Sequence, residues 1–383
     1  MNIGIMCHSS YGGSSRIALS SAAGLVRNGH TVHLFARTPP YLSLKVVQGL
    51  TCHTLYNFRE KALHPAHLNI CWPGHELDTM VELIISIVQD EGLDIINMHY
   101  AFPFIFIARL VKEKLQDTAP GIILTLHGTD VYRFEDNAAE AAELSLCLAC
   151  CDALTTVSKS HAQLFARVSG WKDLPEVIPN FVDLDCFSAK PPAISHARPV
   201  ILHISNFRAV KNPCGVVSIF YKLNEKISSE LWLVGDGEEM QNVRTMLENK
   251  GLQDSVKFFG LLPDISDIIN KADLLVMSSM YESFCLTALE AMACGVPVLA
   301  PHVGGLPEVV AHGKTGFLYP PNDYASGAAF AVKLLSDPGL YKKMSMHAVL
   351  RAQAFDQEHS IMLYERLYAR VMAKTSAVGG GEH

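Results

Sequence analysis

The sequence has no uninterrupted apolar run of about 18 residues, the length that a membrane-spanning helix requires. It also has no excess of basic residues, because 31 lysines and arginines face 38 aspartates and glutamates, for a formal net charge of −7. These absences argue against a membrane span and against nucleic acid as a main partner. The amino-terminal stretch MNIGIMCHSS enters a strand pattern directly and shows no signal-peptide pattern, so we expect a cytoplasmic protein.

The composition is that of a large globular protein, with 49% hydrophobic and 18% charged residues. A length of 383 residues predicts two or three domains. Ten cysteines in a long chain without an export pattern indicate reduced thiols.

Strand and helix patterns alternate along most of the chain, which is typical of βαβ units and parallel sheets. The segment 179–199 carries four prolines, lacks periodicity and reads as an interdomain linker. The sequence therefore predicts an α/β protein with doubly wound domains at 1–178 and 200–357. A last helix at 358–373 and a flexible tail at 374–383 would follow.

Polar groups follow the ends of the predicted strands in the first domain. The strand Asn2–His8 leads to Gly12-Gly13-Ser14 and a helix, and a Gly-rich turn at that place lets backbone approach an anion. On its own, the glycine pair is equally consistent with an ordinary tight turn. Tyr100 and His127 follow the next predicted strands. Because ligands of such folds bind at the carboxyl ends of the strands, we expect an acceptor pocket there.

Two basic residues follow the first strand of the second domain. Arg208 and Lys211 lie three positions apart in HISNFRAVK, so a helical turn would bring both to one face. An arginine grips a phosphate with two parallel hydrogen bonds, and a lysine adds a point charge. The alternative is a pair of solvated basic residues.

The most informative stretch is 278–309, where Glu282 and Glu290 lie eight positions apart. Ser283 is a plausible helix cap, and the helix start after it would attract anions. Glu282 would lie in the loop at a ligand site, and Glu290 about two turns into the helix, roughly 12 Å along it. The outward-pointing backbone N–H groups would be those of Phe284, Cys285 and Leu286.

The pattern Glu-x7-Glu, followed by Ala-Met-Ala-x-Gly-x-Pro-Val and Gly-Gly-x-Pro-Glu, resembles the retaining glycosyltransferases of the GT-B fold, family 4. The resemblance covers nearly the whole chain. It implies two doubly wound, Rossmann-like domains that face a cleft, with the acceptor bound by the first domain and the nucleotide sugar by the second. It also implies that the last helix crosses back to the first domain.

The resemblance assigns roles to single residues. It implies that Glu282 contacts donor-sugar hydroxyls, Glu290 holds the ribose, Arg208 and Lys211 neutralise the diphosphate, and His127 faces the donor sugar. The implied catalytic residues are His127, Glu282, Arg208 and Lys211. The implied donor-binding residues are Gly13, Asn206, Arg208, Lys211, Glu282, Phe284, Cys285, Leu286 and Glu290.

Within the family, MHYAFP, TLHGTD, VSKS and HISNFR are most similar to a branch that transfers N-acetylglucosamine from UDP-GlcNAc to L-malate in bacillithiol biosynthesis. That likeness implies acceptor contacts from Ser14, Tyr100 and Thr125, with Arg16 as a candidate partner for a carboxylate. Ser15-Arg16 and Cys285 depart from the family pattern, which has Gly-Val and Gly there. Another acceptor or sugar, a UDP-sugar epimerase or hydrolase, and a sugar-nucleotide binder without turnover remain alternatives.

The resemblance implies no metal and no cofactor. One cluster could nevertheless bind a metal ion, because it holds four potential ligands in twelve residues. It lacks the ligand spacing of a closed zinc finger. Its members are His64, His67, Cys71 and His75. The acids of Asp183-x-Asp185 lie in the predicted linker, and we interpret them as structural. The sequence leaves the oligomeric state open, including a homodimer.

Overall fold

The computed structural model describes residues 1–10, 12–40, 49–57, 70–132, 134–135, 137–189, 191, 193–194 and 197–379. The chain divides into two compact units. Unit 1 comprises Met1–Asn180 and Gln357–His383, and unit 2 comprises Phe181–Asp356. No helix in the described ranges is long and apolar enough to cross a membrane.

Unit 1 is built on a seven-stranded sheet in which every neighbouring pair of strands is parallel. Its strands are β1 (Asn2–Met6), β2 (Thr31–Ala36), β3 (Leu50–Thr54), β4 (Ile95–His99), β5 (Gly121–Leu126), β6 (Ala153–Thr156) and β7 (Glu176–Val177). The spatial order is β3-β2-β1-β4-β5-β6-β7, so the direction of winding reverses between β1 and β4. In doubly wound folds, ligands bind at the carboxyl ends of the strands beside that reversal.

Helices follow most of these strands, as parallel pairing requires. They are α1 (Gly13–Arg27), α2 (Gly74–Glu91), α3 (Phe104–Leu115), α4 (Thr129–Tyr132), α5 (Ala138–Cys147) and α6 (Lys159–Ser169). The apolar face of α1 packs into the core with Ala18, Ala22 and Leu25, all fully buried. The α6 helix begins where the Ser158 hydroxyl accepts a hydrogen bond from the backbone N–H of His161, 3.0 Å away.

Unit 2 repeats the plan with six parallel strands. They are β8 (Val200–Ile204), β9 (Glu230–Val234), β10 (Val256–Gly260), β11 (Leu274–Val276), β12 (Val298–Pro301) and β13 (Gly316–Tyr319). Their order is β10-β9-β8-β11-β12-β13, with the reversal between β8 and β11.

The helices of unit 2 cover this sheet and bury a second core that includes Phe207, Phe220 and Tyr319. They are α7 (Pro213–Asn224), α8 (Met240–Asn249), α9 (Ser266–Asn270), α10 (Leu286–Ala293), α11 (Leu306–Val309), α12 (Tyr324–Leu335) and α13 (Pro338–Gln353). The two parallel sheets confirm the predicted doubly wound α/β class.

The last helix, α14 (Gln357–Gly379), belongs to unit 1, where it packs against α1 and β5. Tyr364 and Tyr368 are buried, and Asn97 Nδ2 of β4 donates to the Tyr368 hydroxyl oxygen at 2.9 Å. The helix continues past Lys374, where the sequence predicted a flexible tail, because no helix breaker occurs before Gly379. Residues 380–383 lie outside the described part of the chain.

The segment predicted as a linker is structured where it is described. Phe181, Val182 and Phe187 are buried, and the backbone N–H of Val182 donates to the Phe355 carbonyl. The Asp183 carboxylate accepts from the backbone N–H groups of Asp185 and Cys186, at 3.0 and 3.3 Å. These contacts are those of a turn, as the structural interpretation of this acidic pair requires.

Candidate active site

In unit 2, the predicted donor residues lie at the carboxyl edge of the sheet, beside the reversal of winding. The chain leaves β8 at Ile204 and forms a short 3-10 turn at Ala209–Lys211 before α7 begins. Phe207 has a positive φ of 41° and is fully buried, so it anchors this segment in the core. The anchored turn fixes where Arg208 and Lys211 can reach.

The loop after β9 packs against the same segment without side chains between them. A Cβ at Gly235, where φ is +117°, would lie 1.8 Å from the Ser205 carbonyl oxygen. A Cβ at Gly237 would lie 2.0 Å from the Asn206 carbonyl oxygen. Both positions therefore require glycine, and their contact holds the Asn206–Arg208 backbone in place.

Lys211 and Glu282 form a direct ion pair. Lys211 Nζ lies 2.8 Å from Glu282 Oε1, and the Ser279 hydroxyl donates to the same oxygen at 2.7 Å. The Glu282 side chain is 7% exposed and that of Lys211 22% exposed. The structure thus brings together two residues that the sequence assigned to different parts of the donor.

Arg208 and Asn206 carry unsatisfied polar atoms. Among the described residues, Arg208 Nε and Asn206 Oδ1 are buried from solvent and have no hydrogen-bond partner. Unpaired buried donors and acceptors are costly, and a bound polar ligand is one way to satisfy them. Their place, at the end of β8, is where ligands of this fold class bind.

The loop that carries Glu282 rests on the glycine pair after β12. Cβ atoms at Gly304 and Gly305 would lie 2.0 and 2.1 Å from the carbonyl oxygens of Glu282 and Ser283. The backbone N–H of Gly305 donates to the Glu282 carbonyl at 2.7 Å. The Gly304-Gly305 motif therefore supports the Glu282 loop directly.

The start of α10 differs from the sequence prediction. The helix begins at Leu286, the N-cap is Cys285, and no side chain caps it. Ser283 was predicted as the cap, and this was wrong because Cys285 adopts a left-handed conformation (φ 84°, ψ 83°) that delays the helix. Phe284 is 1% exposed and packs on the Phe355 ring, so it faces the interior.

Glu290 consequently lies closer to the helix start than predicted. It is the fifth residue of α10, about 6 Å along the helix axis from Leu286, whereas the predicted distance of roughly 12 Å counted eight residues from Glu282. Its side chain is almost completely buried, with the residue 2% exposed.

Cys285 occupies a backbone conformation that suits glycine. Non-glycine residues pay roughly 1–2 kcal/mol in the left-handed region. We expect Cys285→Gly to be more stable than Cys285→Ala by about 1 kcal/mol, although glycine is normally the less stable of the two in ordered structure. Chemical unfolding of both variants measures the difference, and a more stable alanine variant would contradict the strain.

In unit 1, the loop between β1 and α1 is held by serines. The Ser15 hydroxyl donates to the His8 carbonyl at 2.7 Å and lies 2.9 Å from the Ser10 hydroxyl. Ser15 therefore supports the loop, which explains a serine at one of the two departures from the family pattern. Gly13 is exposed at the first position of α1, Ser14 is 9% exposed, and Arg16 is partly exposed.

The hydroxyl groups of Tyr100 and Thr125 lie in different surroundings. Tyr100 has a φ of 119° and its hydroxyl lies 2.7 Å from Thr129 Oγ1, above the end of β4. Thr125 is fully buried, donates to Asn97 Oδ1 at 2.8 Å and accepts from the Thr155 hydroxyl at 2.9 Å. Thr125 was predicted to contact the acceptor, but its hydroxyl is committed to the interior of the sheet.

His127 lies at the end of β5 in a group of buried polar residues. Its Nε2 lies 3.0 Å from His99 Nδ1, and burial is the main cause that lowers its pKa well below the usual value. Burial likewise lowers the pKa of His99 and of nearby His161 to about 3. All three rings are therefore neutral near pH 7.

Asp130 holds the loops that follow β4 and β5, a role that was not predicted from the sequence. Its carboxylate accepts from the backbone N–H groups of His127, Gly128 and Ala101, at 3.1, 2.5 and 3.3 Å. It is fully buried, which raises the pKa of the carboxyl group to about 6. An acid three residues after the loop histidine was the available signal, since aspartate often caps nearby backbone N–H groups.

A buried ion pair at the same edge was also missed. Arg37, directly after β2, lies 2.5 Å from Glu76 in the first turn of α2, with side chains 5% and 2% exposed. Tyr56 donates to the same carboxylate at 3.1 Å. The sequence signal was weak, because the two residues are separated by nearly forty positions.

The predicted alternative metal cluster falls partly outside the described residues, which omit His64 and His67. Cys71 and His75 are both exposed. Within the described part of the chain, no group of three or more histidine, cysteine, aspartate or glutamate side chains has the geometry to hold a metal ion.

Two protein families match the chain in sequence. Residues 11–186 match the family described as Glycosyltransferase Family 4, and residues 187–350 match Glycosyl transferases group 1. The chain is 31% identical to N-acetyl-alpha-D-glucosaminyl L-malate synthase of Bacillus anthracis, with 97% of each protein covered. It is also 39% identical over 109 residues to a D-inositol 3-phosphate glycosyltransferase of Streptomyces bingchenggensis, which covers 28% of this chain and 24% of that protein.

Solved structures share the fold at lower identity. Sucrose-phosphate synthase from Thermosynechococcus elongatus superimposes with a TM-score of 0.79 at 22% identity, covering 98% of this chain and all of that one. HepE from Anabaena, solved in complex with UDP-glucose, gives a TM-score of 0.76 at 19% identity, covering 98% and 100%. At these identities the likeness establishes the fold, which is GT-B.

Proposed function

Because this chain belongs to the GT-B glycosyltransferases of family 4, we propose that it transfers N-acetylglucosamine from UDP-GlcNAc to L-malate or a similar small hydroxy acid. The observation that carries the proposal is the 31% identity to the Bacillus anthracis malate synthase along 97% of both proteins. The anomeric configuration would be retained.

The donor is assigned to unit 2. Arg208 and Lys211 would neutralise the diphosphate, and the first backbone N–H groups of α10, which lack partners within the helix, would add donors. Glu282 would bind a sugar hydroxyl, and Glu290 the ribose. The 2.8 Å contact from Lys211 to Glu282 supports a shared task, because the lysine can hold the carboxylate in place while its remaining N–H groups meet a phosphate. Asn206 completes the proposed donor contacts in unit 2.

The acceptor is assigned to unit 1. Ser14 and Tyr100 would donate hydroxyl hydrogen bonds to the acceptor, and Arg16 would pair with a carboxylate. The Thr125 hydroxyl is bonded to Asn97 and Thr155 inside the sheet, so Thr125 would support this surface without touching the acceptor.

Retention without a protein nucleophile fits the side chains present. Retaining glycosidases use two carboxylates about 5 Å apart, whereas in this proposal the two acids at the donor, Glu282 and Glu290, bind hydroxyls. We propose front-face attack, in which the acceptor hydroxyl forms the new bond while the bond between the anomeric carbon and the phosphate breaks. The departing phosphate oxygen takes the acceptor proton. Catalysis is then positioning plus stabilisation of the charge that develops on the diphosphate.

The proposal is tested by incubating the protein with UDP-GlcNAc and a panel of small alcohols that includes L-malate. Mass spectrometry should detect an N-acetylglucosaminyl malate, and NMR should show an α linkage. A β-linked product would overturn retention. Turnover of another alcohol but not of malate would change the acceptor, and release of sugar or an epimer without acceptor would indicate a hydrolase or epimerase.

Metal removal provides a separate prediction. We expect activity to be unchanged, within about twofold, after exhaustive dialysis against EDTA, because cationic side chains and a helix start are available to neutralise the diphosphate. Activity that is lost on chelation and restored by a divalent ion would instead direct attention to the cluster around Cys71 and His75.

A cytoplasmic location is part of the proposal. None of the ten cysteines, which all lie in the described ranges, forms a disulfide bond, as is usual in a reducing compartment.

A further inference from the structure

His99 and His127 are in contact at the ends of the neighbouring strands β4 and β5. His99 is the last residue of β4, His127 follows β5, and the two rings are stacked with centroids 5.2 Å apart. The 3.0 Å contact between His99 Nδ1 and His127 Nε2 is a hydrogen bond between two rings. His99 is fully buried, whereas His127 is 9% exposed.

A hydrogen bond between two neutral imidazoles can be arranged in two ways, because each ring carries one N–H. In the first, His99 donates from Nδ1, and His127 accepts at Nε2 and carries its own proton on Nδ1. In the second, His127 donates from Nε2, and His99 carries its proton on its own Nε2. His127 Nδ1 is therefore a hydrogen-bond donor in the first arrangement and an acceptor in the second.

The surroundings of His99 distinguish the two arrangements. Within the described part of the chain, His99 Nε2 is buried and has no hydrogen-bond partner. The second arrangement would leave an N–H donor there without an acceptor, and orphaned buried N–H groups are rarer than unpaired acceptors. The intrinsic preference of imidazole for the Nε2–H form opposes this choice, but it is small beside the cost of an unpaired buried donor.

We propose that His99 is a positioning residue that holds His127 in its Nδ1–H form. In this form His127 can only donate from Nδ1, and the ring has no lone pair available to act as a base. The catalytic meaning of this inference rests on the proposed function. It agrees with a front-face reaction, where the leaving phosphate oxygen takes the acceptor proton and the protein needs donors that stabilise oxygen atoms.

The protonation state of His127 can be measured without any substrate. Long-range ¹H–¹⁵N correlation spectra of the full chain, labelled at histidine and recorded near pH 7.5, distinguish the two neutral forms. The His127 signals are assigned by their loss in His127→Asn. We expect the Nδ1–H form, and an Nε2–H pattern for His127 would overturn the inference whatever reaction the protein performs.

Two nearly isosteric variants test the functional consequence. In His99→Asn the amide nitrogen takes the place of Nδ1 and can still donate to His127, so kcat should stay within about threefold of the unchanged protein. In His99→Asp the carboxylate can only accept, which places a proton on His127 Nε2 and raises the pKa of that ring. At a pH where His127 of this variant is neutral, its Nδ1 has lost the proton, and kcat should fall about 100-fold with little change in KM. Equal loss in both variants, with matching melting temperatures, would indicate a merely structural role and contradict the inference.

Discussion

Lys211→Ala and Arg208→Ala are each expected to lower kcat/KM by about 100-fold or more, the scale of one lost donor in a transition state. The reason is that charge accumulates on the diphosphate as the bond to the sugar breaks, so a cation there contributes more in the transition state than in the bound donor. The affinity for UDP alone should consequently fall less than kcat/KM does. Near-normal kinetics for both variants would show that neither residue neutralises the diphosphate in the transition state.

Two further variants separate the charge effect from other consequences. Lys211→Ala also leaves the nearly buried Glu282 carboxylate without its cation, so the melting temperature must be compared with that of the unchanged protein. Arg208→Lys keeps the charge but loses the two parallel hydrogen bonds, and should lie between Arg208→Ala and the unchanged protein. Lys314→Ala is the control: it removes an exposed lysine that has no assigned contact with the donor or the acceptor, and it should leave kcat/KM unchanged.

The order of elements could be predicted because strands buried on both faces read as continuous apolar runs. IINMH of β4 and GIILTL of β5 are fully buried, and both were recognisable without a structure. The segments β3 and β7 were not recognised, because they lie at the edges of their sheet. In addition, β7 is only two residues long. Edge strands carry exposed or half-buried side chains and therefore a weaker pattern.

The residues of the candidate site were easier to predict than their contacts. Lys211 and Glu282 are 71 positions apart, and only the adjacency of β8 and β11 brings them within hydrogen-bond distance. The same holds for His99 and His127 at the ends of β4 and β5. A sequence motif indicates residue types at a site, whereas the pairing of their charges and protons depends on long-range strand order.

The error at the start of α10 has a local cause. Ser283 has the residue type of a helix cap, but the backbone at Cys285 turns left-handed before the helix begins. Glycine at such a position would have been a recognisable signal, and a cysteine conceals it. The predicted position of Glu290 was also wrong, because the roughly 12 Å counts eight residues from Glu282, whereas α10 begins only at Leu286.

Acidification is expected to unfold the protein near pH 5, because several neutral histidines are buried. In the unfolded chain a histidine takes up a proton near pH 6.5, whereas burial is the main cause that holds these residues neutral in the folded state to a much lower pH. Below pH 6.5 the unfolded state therefore binds more protons, and the free energy of unfolding falls until pH reaches the folded pKa. The residues with pKa lowered to about 3 or 4 are His8, His99, His161 and His203.

The expected size of this effect is large compared with the stability of a typical domain. Each such histidine lowers the free energy of unfolding by roughly 2 kcal/mol at pH 5, and four of them approach the usual total of about 5–15 kcal/mol. Asp130 acts in the opposite direction, because its raised pKa of about 6 makes the folded state bind a proton more readily than the unfolded chain. One carboxyl group offsets only part of the contribution from four rings.

Urea unfolding at a series of pH values between 7 and 5 measures this dependence, and one matched pair of variants assigns it to the buried rings. His203 lies in β8, fully buried, with Nδ1 3.0 Å from the Val276 carbonyl oxygen. His203→Asn removes one titrating ring, so the slope of unfolding free energy against pH should decrease by about 1.4 kcal/mol per pH unit. His347→Asn, at an exposed position of α13, should leave the slope unchanged. An unfolding free energy that stays constant from pH 7 to 5 would contradict the expectation, because it would mean that the folded protein takes up as many protons over this range as the unfolded chain does.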